Sequence, residues 1–336
     1  MKNRAFVSVW IKRFLLEYLI STKNLSKNTQ LSYRDSFRLL LPFAAKKNKK
    51  PIDQLLIEEI APSIVKSFLT DLEMERRCSI STRNQRLSSI HAFANFVGLY
   101  NPEHLEWCRQ IQIIPFKRSQ QGLITYLEKA EMDALLKAPD KRTEQGRRDH
   151  LILLFLYNTG VRADEAAQLK INDLNIATGT KKELNTVLIR GKGNKLRRCP
   201  LWEQTSIELR GIIGLRTPAE SLFLNRLKQP LTRFGIHAVV KRNVVQAAKQ
   251  CPSILKKKVS PHTIRHTTAT HLLQSGVDIN TIRAWLGHVS INMTNIYAEV
   301  DLSMKAKALA CCEIEDKRTS SHWNDTKGLM TFLESL

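Results

Sequence analysis

Six polar residues in the second part of the chain belong to types that can act together on phosphate esters. In chain order they are Arg162, Lys192, His262, Arg265, His288 and Tyr297. A guanidinium group can bind two phosphate oxygens at once, and a lysine or a histidine can transfer a proton. A tyrosine hydroxyl can attack phosphorus and form a covalent bond to it. The set therefore predicts covalent chemistry on a phosphodiester.

Arg162 follows a nearly continuous apolar run, residues 151–157, that predicts a buried helix. A second helix is predicted to begin at Ala163, so Arg162 lies at a helix start, where backbone N–H groups favour an anion. Glu165 lies one turn further on and could hold the guanidinium in place. Taken alone, Arg162 could equally well be a capping or surface arginine.

The segment SPHTIRH predicts a well-defined helix start, with Ser260 as the N-cap and Pro261 in the first helical position. His262 and Arg265 are three residues apart and share one face at the positive end of this helix. His262 and His266 have the spacing of a zinc-binding pair, but the glutamate of the metalloprotease signature does not follow the first histidine. We therefore predict no metal ion.

Residues 186–201 predict a β-hairpin whose turn has the sequence GKGNK. Lys192 and Lys195 both belong to this turn, and the sequence does not decide which of them approaches a substrate. Further along the chain, Gly287 is predicted to cap a helix just before His288. Tyr297 follows nine residues later. A histidine or tyrosine in such a place is ordinarily structural, and only their combination with the other residues points to a site.

Five motifs together resemble the tyrosine recombinases, the family also named after the lambda integrase. They are TGVRADE, RGKGNK, SPHTIRHTTATHLL, AWLGH and INMTNIY, and they occur in the order found in the family. The resemblance is strong over residues 126–312, while residues 9–98 are similar to the helical core-binding domain of the family. The pair Ala163–Asp164 departs from the family pattern, but Arg162 and Glu165 keep it.

The resemblance implies a mainly α fold with a small antiparallel β-sheet, built as a helical core-binding domain and a mixed α/β catalytic domain. We assign the core-binding domain to residues 1–98, a linker to 99–125 and the catalytic domain to 126–312. Residues 313–336 form a tail with a short predicted helix. This tail is similar to recombinases encoded by bacterial transposons, so we expect a protein of a mobile genetic element.

The resemblance also implies a role for each of the six residues in DNA breaking and rejoining. Tyr297 would attack a DNA phosphorus to form a 3′-phosphotyrosyl bond, with no ATP and no other cofactor. The phosphate oxygens would be bound by Arg162, Arg265 and His288, and Glu165 would support this group. Lys192 would protonate the departing 5′-oxygen, with Lys195 as its rival for that role. His262 would assist proton movement or orient the site.

The net charge of +22 predicts a polyanionic partner, double-stranded DNA above all. Residues 1–116 contain 18 Lys and Arg against 10 Asp and Glu, and the remainder contains 35 against 21, so both parts are basic. Four residues are predicted to contact DNA: Lys27, Arg83, Arg86 and Lys195. Arg83 and Arg86 are one turn apart on a predicted helix and are expected to face outward together.

We expect a homo-oligomer on DNA, a tetramer by the family resemblance, with an accessory recombinase or directionality protein as a further partner. No apolar stretch approaches the ~20 residues of a membrane span, so we expect no membrane partner. The six cysteines show no CxxC pairing, which is typical of reduced thiols. We expect a bacterial cytoplasmic protein that associates with the nucleoid when bound to DNA.

The main prediction is a site-specific recombinase that integrates, excises or transposes a mobile element. One alternative with the same chemistry is a type IB-like DNA topoisomerase, which relaxes DNA without exchanging partners. Another alternative is a catalytically inactive DNA-binding protein with an architectural role. All six predicted active positions carry the expected residue, which argues against the inactive alternative.

Overall fold

The structure, a computed structural model, describes residues 6–118, 124–176 and 184–287. The chain divides into two compact units, residues 1–122 and residues 123–336. Two predicted site residues, His288 and Tyr297, lie outside the described residues, as does the predicted tail 313–336. Among the described helices, none combines the length and the hydropathy needed to cross a bilayer.

The first unit is entirely helical in its described part. Its helices are α1 (Val7–Lys12, continued as a π-helix over Arg13–Thr22), α2 (Lys27–Asn48), α3 (Pro62–Met74), α4 (Ile80–Tyr100) and α5 (Leu105–Gln112). Two of these helix starts carry residues that favour them. The Ser26 hydroxyl accepts a hydrogen bond from the N–H of Thr29, and Pro62 occupies the first turn of α3. An aromatic cluster of Trp10, Phe14, Phe37, Phe93 and Phe96 lies in the core.

The predicted linker, residues 99–125, is structured over its first half. A short 3₁₀ turn at Pro102–His104 leads into α5, and Trp107 and Ile111 of that helix are buried in the core of the first unit. The Trp107 indole N–H donates a hydrogen bond to the carbonyl of Ile60 at 3.0 Å. The expectation of a linker starting at residue 99 is therefore wrong. Helix α5 is only two turns long, too short to show a clear hydrophobic period in the sequence.

Helix α4 also ends later than predicted. A glycine often ends a helix, but α4 continues past Gly98 to Tyr100. A Cβ atom at Gly98 would lie 3.0 Å from the sulfur of Cys108, so this glycine allows α5 to approach α4 closely. The glycine is required by packing between the two helices, and it does not act as a cap.

The second unit combines seven helices with a three-stranded sheet in its described part. The helices are α6 (Lys129–Lys137), α7 (Glu144–Thr159), α8 (Ala163–Gln168), α9 (Glu203–Ile213), α10 (Arg233–Ala247), α11 (Pro261–Gln274) and α12 (Ile279–Leu286). The strands β1 (Leu174–Asn175), β2 (Thr186–Arg190) and β3 (Leu196–Pro200) pair antiparallel in that order. The predicted fold class, mainly α with a small antiparallel sheet, is confirmed.

The hydrophobic core of the second unit forms around α7. Every residue from Leu151 to Tyr157 is buried, as the apolar run predicted, and helices α6, α9, α10 and α11 pack against this helix. The predicted hairpin is present as β2 and β3, with Val187 opposite Cys199. Strand β1 was not predicted, because two residues carry no alternating pattern.

Replacement of Trp107 by alanine tests the structured start of the predicted linker. We expect the substitution to lower the free energy of unfolding by about 3–5 kcal/mol, because it removes a buried indole and its hydrogen bond. Urea unfolding followed by circular dichroism measures the change. Arg109→Ala, at an exposed position of the same helix, is the control and should change stability by less than about 0.5 kcal/mol. Equal effects of the two substitutions would contradict the placement of α5 in the core.

Candidate active site

Arg162 lies at the N-cap position of α8, as the sequence predicted. Gly160, with φ of 59°, ends α7 in the left-handed conformation and turns the chain toward Arg162. The Arg162 Nη1 donates to the Glu165 Oε1 at 2.7 Å, and the other carboxylate oxygen accepts from the Arg162 backbone N–H. The side chain remains 33% exposed. Glu165 therefore orients a guanidinium that can still bind a ligand.

Glu165 also binds Arg197 of β3, a residue that the sequence analysis did not single out. The Arg197 Nη2 donates to the Glu165 Oε2 at 2.6 Å, and its Nε donates to the carbonyl of Trp285 at 3.0 Å. Burial raises the pKa of the Glu165 carboxyl, but the hydrogen bonds and charges of Arg197 and Arg162 outweigh it, so the pKa is lowered. The carboxylate is therefore ionised and shared between two guanidinium groups.

The alternation of β3 is the signal that could have identified Arg197. Cys199, two residues further on, is fully buried. Side chains at i and i+2 of a strand point to the same face of a sheet, so Arg197 had to lie on the inner face. A long cationic side chain in that position requires partners, and Glu165 and the Trp285 carbonyl supply them.

Arg265 is the most deeply buried charged residue among the predicted site residues whose burial the structure describes, with 1% of its surface exposed. Its Nη1 donates to the carbonyl of Gly160 and its Nη2 to the carbonyl of Leu286, both at 2.7 Å. Gly160 lies two residues before Arg162, and Leu286 lies two residues before His288. Arg265 therefore joins the ends of α7 and α12, the two places from which predicted site residues follow.

His262 occupies the first turn of α11, where Ser260 and Pro261 start the helix as predicted. Its ring lies 4.2 Å from the ring of His266, centre to centre. Partial burial, then the charges of Arg265 and Arg162, lower the pKa of His262. Burial, followed by the nearby His262 and Arg265, lowers the pKa of His266 to about 4. Both imidazoles are therefore neutral near pH 7. His262 keeps part of its surface accessible and can accept a proton there.

The turn that carries Lys192 closes the β2–β3 hairpin. The Gly191 N–H donates to the carbonyl of Lys195 at 2.8 Å, and Gly193 has a φ of 75°, a conformation that glycine adopts without strain. Lys195 is exposed. The side chain of Lys192 lies outside the described atoms, so the choice between the two lysines stays open.

The helix that precedes His288 ends at a glycine cap, as the sequence predicted. Helix α12 ends at Leu286, and Gly287 caps it in the left-handed conformation with φ of 66°. The structure thus brings Arg162, Glu165, Arg265 and the start of the His288 segment together through direct contacts. Within the described residues, no cluster of three or more His, Cys, Asp or Glu has the arrangement of a metal site.

The predicted DNA-contact residues of the first unit differ in their exposure. Lys27 is exposed at the first position of α2. Arg83 is only 6% exposed, and its Nη1 donates to the carbonyl of Pro115. Arg86 is half-buried, and its Nη1 donates to the carbonyl oxygen of Ser32 and to the hydroxyl oxygen of Ser36. The expectation that Arg83 and Arg86 face outward together is therefore wrong, because both anchor other segments of their own unit.

Two family models match the chain. The model described as the phage integrase family matches residues 125–304, and the one described as phage integrase, N-terminal SAM-like domain, matches residues 11–98. The chain belongs to the phage integrase family. The membership confirms the resemblance to tyrosine recombinases and the prediction of a site-specific recombinase.

Curated relatives of this phage integrase family protein cover most or all of its length. An integrase/recombinase of Sinorhizobium fredii, named y4rC, is 37% identical over 340 residues and covers 100% of both chains. Tyrosine recombinase XerD of Chlorobaculum tepidum is 33% identical over 300 residues, which cover 86% of this chain and 91% of the relative.

Solved structures share the fold. The Tn1549 transposon integrase in complex with transposon right end DNA has a TM-score of 0.68 at 20% identity, over 91% of this chain and 99% of the other. The XerH site-specific recombinase bound to its palindromic difH substrate has a TM-score of 0.68 at 24% identity, over 87% of this chain and 82% of the other.

Glu165→Gln tests the shared carboxylate. We expect a loss of about 2–3 kcal/mol in the free energy of unfolding, below the 3–5 kcal/mol typical of a fully buried ion pair, because Arg162 is partly exposed. Urea titration of both proteins measures the difference. Asp164→Asn, at the exposed neighbouring carboxylate, should leave stability within about 0.5 kcal/mol. A Glu165→Gln protein as stable as the parent would show that the carboxylate does not hold the two guanidinium groups.

His266 should make stability depend on pH. Its folded pKa of about 4 lies below the ordinary histidine value, so between these values the unfolded chain binds a proton that the folded chain does not. The free energy of unfolding should therefore fall as the pH is lowered from 7 to 4. In His266→Gln this slope should become shallower, by at most ~1.4 kcal/mol per pH unit for one proton. Unfolding at several pH values measures it, and His237→Gln, at an exposed histidine, should keep the parental slope.

Proposed function

We propose that the chain breaks and rejoins DNA strands through a covalent bond between Tyr297 and a DNA 3′-phosphate. The observation that supports this proposal is the joint placement of Arg162, Arg265 and a neutral His262 at the starts of two helices. Fixed positive charge at helix N-termini suits a phosphodiester whose negative charge increases in the transition state.

The reaction balances with the residues of this chain. The Tyr297 oxygen forms a bond to phosphorus, and the bond from phosphorus to the 5′-oxygen breaks. The phenolic proton passes to a base, for which His262 is suited because its imidazole is neutral near pH 7. A lysine of the hairpin turn, Lys192 or Lys195, gives a proton to the departing 5′-oxygen. Attack by a 5′-hydroxyl of another duplex reverses these steps and completes strand exchange.

The phosphate is held by a preformed set of cations. Arg162 is oriented by Glu165 and remains accessible, so its free N–H groups can bind the non-bridging oxygens. Arg265 adds charge from its buried position, and His288 adds a hydrogen-bond donor. Because hydrogen bonds already hold Arg162 and Arg265 before charge develops, these two groups lower the barrier without reorganisation.

The partner of the protein is double-stranded DNA. The net charge of +22 and two of the solved structures with the same fold, which are complexes with DNA, support this choice. Exposed Lys27 and Lys195 are proposed to contact the DNA backbone. Strand exchange between two duplexes requires several protomers, and we propose a tetramer on DNA, regulated by an accessory protein. The chain would act in the bacterial cytoplasm on the ends of a mobile element.

Covalent capture tests the proposal and finds the target at the same time. The full chain is incubated with a library of nicked duplexes of random sequence, and DNA that stays attached in SDS is sequenced. Each recovered duplex is then labelled on either side of the break. We expect protein on the strand that ends in a 3′-phosphate, a free 5′-hydroxyl on the other fragment, and no adduct with Tyr297→Phe. Tyr100→Phe, at an exposed tyrosine, is the matched control and should form the adduct.

The recovered duplex also separates the alternatives. Exchange of strands between two labelled duplexes supports a recombinase, whereas relaxation of supercoiled plasmid without exchange supports a type IB-like topoisomerase. DNA binding without any adduct supports an inactive architectural protein. An adduct that persists in Tyr297→Phe would exclude Tyr297 as the nucleophile.

A further inference from the structure

The side chain of Arg197 makes two hydrogen bonds that neither cap a helix nor belong to the β-sheet. It lies on β3, the edge strand of the sheet, and its side chain is only 9% exposed. One end of its guanidinium group binds the Glu165 carboxylate at 2.6 Å, and its Nε binds the Trp285 carbonyl at 3.0 Å. A single side chain therefore connects β3 to the start of α8 and to the last turn of α12.

Two glycines lie beside this guanidinium, and Gly287 leaves space that it occupies. A Cβ atom at Gly287 would lie 3.1 Å from the Arg197 Cδ and 3.2 Å from its Nη1, closer than most side-chain contacts allow. A Cβ atom at Gly191 would lie 3.4 Å from the same Nη1. Gly191 is the first residue of the turn that carries Lys192, and Gly287 directly precedes His288. The guanidinium thus lies between the chain segments that lead to two proposed active residues.

Strand β3 pairs with β2 alone in the described sheet. Its C-terminal end also contacts α7, through Asn158 to the Pro200 carbonyl and through Cys199 to the Thr159 carbonyl. Helix α12 packs against β3, and Arg197 donates one hydrogen bond across this contact, to the Trp285 carbonyl. Because Glu165 also orients Arg162, the position of the hairpin and the position of the phosphate-binding arginine are set by the same carboxylate.

We propose that Arg197 is a positioning residue that fixes the lysine-bearing turn relative to the phosphate bound by Arg162. This inference rests on the proposed function, because it requires that a lysine of the turn protonates the leaving 5′-oxygen. Arg197 does not touch the DNA in this role. Its removal should therefore impair proton donation to the leaving group more than it impairs phosphate binding or the attack by Tyr297.

A change of leaving group isolates this step. The duplex recovered by covalent capture is synthesised with sulfur in place of the bridging 5′-oxygen at the cleaved phosphate. In this substrate the bond from the tyrosine oxygen to phosphorus forms, the phosphorus–sulfur bond breaks, and sulfur departs as a thiolate that needs no proton. A variant whose only defect is proton donation cleaves the sulfur substrate normally. Lys192→Ala and Lys195→Ala, measured alongside, show how large this recovery is when the acid itself is removed.

Arg197→Lys keeps the positive charge but cannot make both hydrogen bonds. We expect it to cleave the oxygen substrate at least ~30-fold more slowly than the parent. Complete loss of general acid catalysis would slow cleavage by about 10²–10⁴-fold, and a misplaced lysine loses part of that effect. On the sulfur substrate we expect a rate within about 3-fold of the parent, because that step bypasses the acid. DNA affinity, measured by gel shift on the same duplex, should be unchanged.

Arg198→Lys is the matched control, because Arg198 is the exposed neighbour on the opposite face of β3. Its ratio of sulfur to oxygen cleavage should equal that of the parent. If Arg197→Lys does not fold by circular dichroism, Arg197→Gln replaces it in the same assay. Equal slowing of both substrates, or no slowing, overturns the positioning role even though the parent forms its adduct. Absence of any adduct with the parent overturns the proposed function itself.

Discussion

The buried guanidinium of Arg265 is the constraint on which the arrangement of the second unit depends. A charged group with 1% of its surface exposed must be matched by hydrogen-bond acceptors, because its desolvation is otherwise too unfavourable. The acceptors are the carbonyls of Gly160 and Leu286, which belong to the C-terminal ends of α7 and α12. Such ends carry unpaired carbonyls and partial negative charge, so they suit a buried cation. Because both carbonyls must lie within hydrogen-bond distance of the Arg265 guanidinium, two helix ends that are far apart in the sequence lie close together.

Glu165 is the second residue that holds this arrangement together, because it binds both Arg162 and Arg197. Its carboxylate stays ionised between Arg162 and Arg197 because their hydrogen bonds and charges outweigh the effect of its burial. One negative charge among several cations leaves the region positive. Burial, and then this positive charge, lowers the pKa values of His262 and His266. A positive site with neutral imidazoles can bind a phosphodiester and still accept a proton. The electrostatics of binding and of proton transfer are thus compatible in one place.

In the first unit, several basic residues stabilise the fold through hydrogen bonds and ion pairs. Arg83 donates to the Pro115 carbonyl, and Asn84 binds both backbone groups of Lys117, so α4 holds the chain that follows α5. The Lys117 ammonium group adds an ion pair with Glu73. These contacts keep residues 115–118 attached to their own unit, which is why the structured part extends well beyond the boundary expected from sequence. A positive side chain in such a protein can therefore serve the fold instead of a ligand.

The sequence by itself determined the local elements and the order of the site residues. The caps at Ser26 and Ser260, the glycine-rich hairpin turn and the buried apolar run of α7 depend on interactions within a few residues, so their signals are visible along the chain. Only the tertiary structure decided which cations are exposed and which join distant segments. Arg197 meets Glu165 across 32 positions, and Arg265 meets Gly160 across 105. Such pairs depend on how helices and strands pack, because burial is a property of the assembled fold and not of any short stretch of sequence.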